Sequence, residues 1–275
     1  MTTNDFEIFT TFFSDYVRSF YSADPDDQKN ILLKEEHTLQ VRRTIRQLAI
    51  DEEFGPEGVL LAETIGLFHD IGRFPQYARH KTFRDALSVN HGALGAEILA
   101  GQKVLRLLPP DEQRTVLNAV RFHNAFALPD LPAEADLCFL RLVRDADKLD
   151  IWRIFLGFFE GGKKEMTAAV GLDLPNTPGY SKEIVECVLK GKSVSHSALR
   201  NVNDFTLLQL SWVYDLNFAA SFGMLGENDY IARLLALLPD DGELGGIKAV
   251  LNDRVSLIQK TASGKRGCEA WSPGK

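Results

Sequence analysis

The stretch "GLFHDIGRFPQY", residues 66–77, carries an apolar, core-type segment directly into polar residues. Gly72 and Pro75 are residue types that interrupt helices. His69 and Asp70 are adjacent, and adjacent side chains on a helix point about 100° apart. If the helix ends at this pair, and Gly72 adopts an unusual backbone conformation, both side chains can reach one ion. We therefore interpret the stretch as a helix end that presents two successive metal ligands.

The remainder of the chain favours helices. Apolar residues recur mostly at helical spacing, and the strict alternation typical of strands is hard to find. The sequence therefore predicts an all-α fold. Asp111 and either Ser88 or Asn90 are expected to cap helix N-termini. Helices are expected over residues 7–20, 27–50, 56–69, 90–100, 111–123, 135–159, 181–190, 204–218 and 247–261.

Helix-interrupting residues separate the predicted helices, which we expect to form one helical domain over residues 1–262. Its core is expected over residues 27–159, with a C-terminal helical extension over residues 180–262. Residues 161–179 are rich in Gly and Pro and are expected to form a long loop or lid. Residues 263–275 are expected to be a disordered tail.

Composition narrows the classes of partner. A chain of 275 residues with 45% hydrophobic composition can bury a sizeable core. A net charge of -7 gives no electrostatic signal for non-specific binding to nucleic acid or anionic lipid, because both need clustered positive charge, and only local basic patches are left open. No membrane partner is expected, and there is no strong signal for nucleic acid. The apolar helices leave room for a homodimer interface, although no segment marks one.

The N-terminus and the cysteines add two expectations. The first residues carry acids where a signal peptide carries basic residues, and no apolar run approaches the roughly 18 residues of a membrane span. A cytoplasmic location is therefore expected. The three cysteines form no CxxC arrangement, so any metal ion would be held by nitrogen and oxygen atoms.

Four histidines and an aspartate fall on apolar faces of the predicted helices: His37, His69, His91, His123 and Asp147. A single histidine in such a position is more often a core residue than a ligand. Buried carboxylates and imidazoles together all need partners, and a shared metal ion supplies one to each. The set suits Mn, Fe, Co, Ni, Zn or Mg.

This order of residues resembles the HD superfamily of metal-dependent phosphohydrolases, whose helical core is named for the His-Asp doublet. The resemblance covers roughly residues 27–159 and rests on "HDIGRFPQY", "SVNHG" and "RDADKLD". His91 and His123 lie between the doublet and Asp147, as in members with a two-metal site. The resemblance implies a helical bundle with additional C-terminal helices and a site for two divalent ions.

The resemblance also implies a role for each ligand. The first ion would bind His37, His69, Asp70 and Asp147. The second ion would bind His91 and His123, with Asp70 bridging the two ions.

Two narrower branches of the family are disfavoured. The GYP signature of cyclic-di-GMP hydrolases is absent, since Gly179 and Tyr180 are followed by Ser181. The acidic pair that follows the doublet in alarmone hydrolases is absent as well.

Two divalent ions lower the pKa of a bridging water and hold phosphoryl oxygens for in-line displacement. The expected reaction is therefore hydrolysis of a phosphomonoester or phosphodiester, in a nucleotide or another small phosphorylated metabolite. Arg73 and Lys148 adjoin ligands and are expected to contact the phosphate. His80 is either a leaving-group acid or an exposed loop residue. The other cations between residues 73 and 84 are expected to form surface salt bridges.

Two alternatives share the same ligands. Some HD-type proteins with six such ligands are di-iron oxygenases that act on small organic substrates. A non-catalytic, metal-bound sensor is the third reading, although a purely structural ion usually has no open coordination position.

Overall fold

A computed structural model describes residues 1–131, 133–161, 168–240, 242 and 244–262. Most of these residues are helical and none lies in a strand, so the predicted all-α fold is confirmed. The α-helices are α1 (Thr3–Arg18), α2 (Pro25–Asp51), α3 (Pro56–Phe68), α4 (Arg73–His80), α5 (His91–Gly101), α6 (Pro110–Phe122), α7 (Glu134–Glu160), α8 (Ala168–Gly171), α9 (Lys182–Leu189), α10 (Val202–Ser211), α11 (Ala219–Glu227), α12 (Tyr230–Leu235) and α13 (Gly245–Ala262). Short 3-10 turns cover Asp85–Leu87, Val104–Leu107, His196–Ala198 and Trp212–Asp215.

The chain divides into two compact units, and the division falls inside α7, after Asp150. In the first unit, Met1–Asp150, α2 packs along α3 and α5 packs along α6, while α3 also contacts α1 and α6. In the second unit, which begins at Ile151, α10 packs against α9 and α12, and α13 contacts α9, α11 and α12. No helix in the described ranges is long and apolar enough to cross a bilayer.

The second half of the chain departs from the predicted helix bounds. The helix predicted over residues 204–218 ends at Ser211 and continues as a 3-10 turn, and α11 and α12 follow where no helix was expected. Residues 162–167 of the expected loop and the whole of the expected tail, 263–275, lie outside the described residues.

Helix starts follow local capping chemistry. The side chain of Asn90 accepts a hydrogen bond from the backbone N–H of Ala93, so Asn90 caps α5 as one of the two expected candidates. The expectation for Asp111 was wrong, because α6 begins one residue earlier, at Pro110. Proline is favoured at a first helical position since its missing N–H would have no intrahelical partner there. Asp111 instead places its charge in the first turn, where the helix dipole favours an acid.

The break after Phe68 is a turn of four residues, 69–72, between α3 and α4. The sequence did not predict α4, because Pro75 was interpreted as a helix breaker. Pro75 is the third residue of α4, within the first turn, where a backbone N–H needs no helical acceptor. The chain therefore leaves one helix, presents the His-Asp doublet and immediately begins another.

Gly72 is needed for close packing and not for an unusual backbone, so that expectation was wrong. Its φ of -68° and ψ of -18° lie in the right-handed helical region. A Cβ atom on Gly72 would lie 2.2 Å from the carbonyl oxygen of His91 and 2.8 Å from the backbone nitrogen of Gly95. The absence of a side chain therefore lets the turn at 69–72 lie directly against the start of α5.

We expect the substitution Gly72→Ala to lower the free energy of unfolding by roughly 1–3 kcal/mol, because the new methyl group meets backbone atoms that cannot rotate away. Gly101→Ala is the matched control, since a Cβ atom there has no neighbour within 4 Å. Thermal and urea unfolding of both variants measures the difference. Equal stabilities would contradict the close packing of the turn against α5.

Candidate metal centre

The six predicted ligands converge inside the first unit. His37 comes from α2, the doublet from the turn after α3, His91 from the first residue of α5, His123 from the residue after α6, and Asp147 from α7. All are buried except Asp147, whose side chain is 20% exposed. The side chains are His37, His69, Asp70, His91, His123 and Asp147.

Two clusters able to hold an ion occur among the described residues, and they share Asp70. The first cluster is His37, His69 and Asp70, and the second cluster is Asp70, His91 and His123. Within each cluster, one ligand atom per residue lies within 4.8 Å of the others. The predicted grouping of histidines into two sets around one carboxylate is therefore the arrangement that the fold produces.

Asp70 directs one carboxylate oxygen to each cluster. Its Oδ2 lies 3.6 Å from Nε2 of His37 and 3.7 Å from Nε2 of His69. Its Oδ1 lies 3.3 Å from Nε2 of His91 and 3.6 Å from Nε2 of His123. A carboxylate in this position can bridge two cations.

Asp147 belongs beside the first cluster. Its Oδ1 lies 3.1 Å from Nε2 of His37 and 3.8 Å from Nε2 of His69. Asp147 is the most exposed of the six predicted ligands.

All four imidazoles are held by their Nδ1 atoms, which leaves every Nε2 directed into the centre. Nδ1 of His37 contacts a carboxylate oxygen of Asp150 at 2.7 Å, and Nδ1 of His91 contacts a carboxylate oxygen of Asp85 at 2.8 Å. A carboxylate at Nδ1 orients the ring and raises its basicity as a metal ligand.

The rings of His69 and His123 are each held by a backbone carbonyl and not by a carboxylate. Each follows the last residue of a helix, and each Nδ1 donates to the carbonyl three residues earlier, at 2.8 Å: Gly66 for His69 and Val120 for His123. Carbonyls in a last helical turn lack an intrahelical partner. Because a carbonyl oxygen can only accept, the Nδ1 atom must carry the proton, and in the neutral ring Nε2 carries a lone pair.

Burial keeps two of the imidazoles neutral. It lowers the pKa of His69 to about 4, against the opposing charges of Asp70 and Asp147. Burial, together with the charge of Arg73, lowers the pKa of His91 to about 3. Both rings are therefore unprotonated near neutral pH, which is the form that binds a metal ion.

His37 and Asp70 differ because charged partners outweigh burial. Burial and the charge of Lys34 lower the pKa of His37, but the contacts with Asp147 and Asp150 outweigh both and leave it raised. Burial raises the pKa of the Asp70 carboxyl, but Lys34 and His69 hold it well below its usual range. The bridging carboxylate is therefore ionised.

The donor set fits divalent cations. Nε2 of His91 and Nε2 of His123 stand 2.9 Å apart, and Nε2 of His37 and Nε2 of His69 stand 3.4 Å apart. Two ligands about 2.1 Å from one ion are separated by roughly 3.0–3.4 Å. Lone pairs and carboxylates gathered at this spacing repel one another unless cations lie between them.

The predicted phosphate-binding cations make contacts within the protein. Arg73 donates to the carbonyl oxygen of Phe83 at 2.5 Å and to Asp85 at 3.1 Å, and its Nε lies 3.4 Å from Oδ1 of Asp70. Lys148 is buried, and its Nζ donates to the carbonyl of Arg144 at 3.2 Å.

The remaining basic residues after the doublet have separate positions. His80 is the last residue of α4 and is partly exposed, and neither cluster includes it. Lys81 pairs with Asp27, as expected of a surface cation. Arg79 is exposed and Arg84 is partly exposed.

Three residues at the site escaped the sequence analysis. Lys34 and Asp150 had a signal, since each lies three residues from a predicted ligand on the same helix, His37 on α2 and Asp147 on α7, and so shares its face. Asp85 lies in a 3-10 turn, where no periodicity marks a face. Its carboxylate contacts His91, Arg73 and the side chain of Asn124.

Comparison with known families agrees with this geometry. Residues 35–152 match the family model described as HD domain, which confirms the resemblance, and all six predicted ligands lie within the match. No curated protein and no solved structure matches the chain. The match indicates a metal-dependent hydrolase, and the His-Asp clusters can bind metal ions.

We expect Asp70→Asn to reduce the metal content of both clusters, because one carboxylate serves both, whereas His91→Ala should reduce only that of the second cluster. Elemental analysis by inductively coupled plasma mass spectrometry, after reconstitution and desalting, measures ions per chain. His196→Ala is the control, since His196 is exposed and lies in the second unit. An Asp70→Asn protein with an undiminished metal content would show that Asp70 is not a shared ligand.

We expect Asp150→Asn to weaken the metal affinity of the first cluster by roughly 10- to 100-fold, because the amide no longer fixes and polarises the His37 ring as a carboxylate does. Competition of the bound ion against a chelator gives the affinity. Asp253→Asn, an exposed position on α13, should leave the affinity unchanged. A wild-type affinity in Asp150→Asn would mean that the contact with Asp150 does not tune His37.

Proposed function

We propose that this protein is a metal-dependent phosphohydrolase that uses two divalent ions. The premise is the match of residues 35–152 to the HD domain model. Its substrate would be a nucleotide or another small phosphorylated metabolite, cleaved as a phosphomonoester or phosphodiester. The observation that carries the proposal is the position of Asp70, with one buried carboxylate oxygen facing each pair of histidines. This arrangement suits a pair of adjacent cations.

The residues that would hold the ions follow from the clusters. His37, His69, Asp70 and Asp147 would hold the first ion, and Asp70, His91 and His123 the second. Divalent ions at such a site lower the pKa of water and neutralise the charge that develops on phosphoryl oxygens. Asp85 and Asp150 keep the rings of His91 and His37 oriented toward the ions that they would bind.

The exposure of the site supports catalysis over a purely structural role. The second cluster offers three protein ligands, and Asp147 beside the first is partly open to solvent. A structural ion is usually enclosed by a complete set of protein ligands, whereas a catalytic ion keeps a position open for water or substrate. The partial exposure of Asp147 supports an open position on that side of the first cluster.

Positive charge around the clusters supports an anionic substrate. Lys34 and Lys148 are buried, and Arg73 is largely so, in a chain with a net charge of -7. In this structure Lys34 pairs with Asp70, and Arg73 pairs with Asp85. Phosphoryl transfer gains from such charges, because they stabilise the oxygens of the transferring group.

We expect the metal-depleted protein to release phosphate or a nucleotide from phosphate esters only after Mn, Fe, Co, Ni, Zn or Mg is restored, and to do so without O₂. A panel of nucleoside monophosphates, cyclic nucleotides and nitrophenyl phosphate esters, assayed anaerobically, tests this. Asp70→Asn and His123→Ala should fall to the background rate, while His196→Ala should retain the wild-type rate.

Two outcomes would contradict phosphoester hydrolysis. Anaerobic inactivity combined with O₂ consumption by the iron-loaded protein would assign oxygenase chemistry to the same ligands. Inactivity with every metal, despite a full metal content, would indicate a non-catalytic metal protein.

A further inference from the structure

Lys34 is a buried cation at the edge of the first cluster. It lies on α2 one turn before His37, and its side chain is 11% exposed. Its Nζ lies 2.8 Å from Oδ2 of Asp70, and it stands over the ring of Phe83, 5.7 Å from the centroid. Within the part of the chain that the structure describes, Asp70 is its one carboxylate partner.

The other two cations near the clusters, Arg73 and Lys148, have different hydrogen-bond partners. Arg73 is joined to Asp85, to the carbonyl oxygen of Phe83 and to Gln76, all through its NH1 atom. Lys148 donates to a backbone carbonyl of its own helix. Arg73 also approaches Asp70, but through Nε and at the other oxygen, Oδ1, at 3.4 Å. Lys34 differs from both, because its partner is Oδ2 of Asp70, the oxygen that faces the histidines of the first cluster.

Lys34 and a cation in the first cluster therefore compete for one atom. Oδ2 of Asp70 lies 3.6 Å from Nε2 of His37 and 3.7 Å from Nε2 of His69, and the same atom accepts from Lys34. An ammonium beside a divalent ion at that oxygen would be repelled strongly at this depth. The lysine stem is flexible, so the ammonium can leave Asp70, but burial requires that it find another anion.

We propose that Lys34 is the substrate-binding cation of the site. It exchanges Asp70 for a non-bridging phosphoryl oxygen when the clusters are loaded and substrate is present. In the metal-free protein the same ammonium neutralises the buried Asp70 carboxylate. This inference rests on the proposed function for its substrate class, but phosphate binding tests it without turnover.

The experiment compares Lys34→Met with Lys29→Met, which removes the same charge from an exposed position on the same helix. Isothermal titration of inorganic phosphate into the Mn-reconstituted proteins gives the affinity, and elemental analysis gives ions per chain. We expect Lys34→Met to bind phosphate roughly 10- to 100-fold more weakly, as for the loss of one charge-assisted hydrogen bond, with its metal content unchanged. Lys29→Met should match the wild type, and Lys34→Arg should bind more tightly than Lys34→Met.

Three results would overturn the inference: wild-type phosphate affinity in Lys34→Met, loss of metal from Lys34→Met, or no phosphate binding by the metal-loaded wild type. Loss of metal would make Lys34 a support for Asp70 only. If Lys34→Met does not fold by circular dichroism, Lys34→Gln replaces it, because the amide can still donate to Asp70.

The hydrolysis assay separates this inference from the proposed function. Lys34-dependent phosphate binding in a protein that cleaves no ester would keep the inference and reject phosphoester hydrolysis. Conversely, ester hydrolysis with an unchanged KM in Lys34→Met would reject the inference and keep the function.

Discussion

The first unit is organised by one constraint: the ionised carboxylate of Asp70 is almost completely buried. An unpaired charge at that depth would cost several kcal/mol or more. Lys34 and Arg73 lie within ion-pair distance of its two oxygens, and the histidine pairs face the same oxygens from two sides. Helix α2 supplies Lys34 and His37 to this group, and α4 and α5 each supply their first residue. The residues that follow α3 and α6 are the histidines that complete the surroundings of Asp70.

The supports around Asp70 show how the fold makes this arrangement rigid. Two histidine rings are fixed by carboxylates, His37 by Asp150 and His91 by Asp85. Asp85 is itself held by Gln76 and Asn124 as well as by Arg73. The turn that carries the doublet is pressed against α5, because Gly72 has no side chain to keep the two apart. Preorganised ligands of this kind reduce the rearrangement that metal binding and charge development would otherwise require.

The sequence predicted the class of fold, most helices of the first unit and the convergence of the six ligands, because these depend on helical periodicity and on the order of residues along the chain. It failed where the outcome depends on contacts between distant segments. Asp85 lies in a 3-10 turn whose sequence gives no face, and only the folded chain places it at Nδ1 of His91. The need for Gly72 likewise arises from the backbone of α5, which local sequence does not reveal.

The position of His69 and His123 just after helix ends has a thermodynamic consequence. A neutral imidazole in a flexible chain exchanges between two tautomers. Each of these rings is held in one tautomer, because its Nδ1 donates to a carbonyl in the last turn of its own helix. Formation of the last turns of α3 and α6 therefore places a lone pair on Nε2 of His69 and of His123. An ion that binds these Nε2 atoms would in return stabilise the same helical turns. Uptake of an ion at these two rings would therefore be thermodynamically linked to formation of the last turns of α3 and α6.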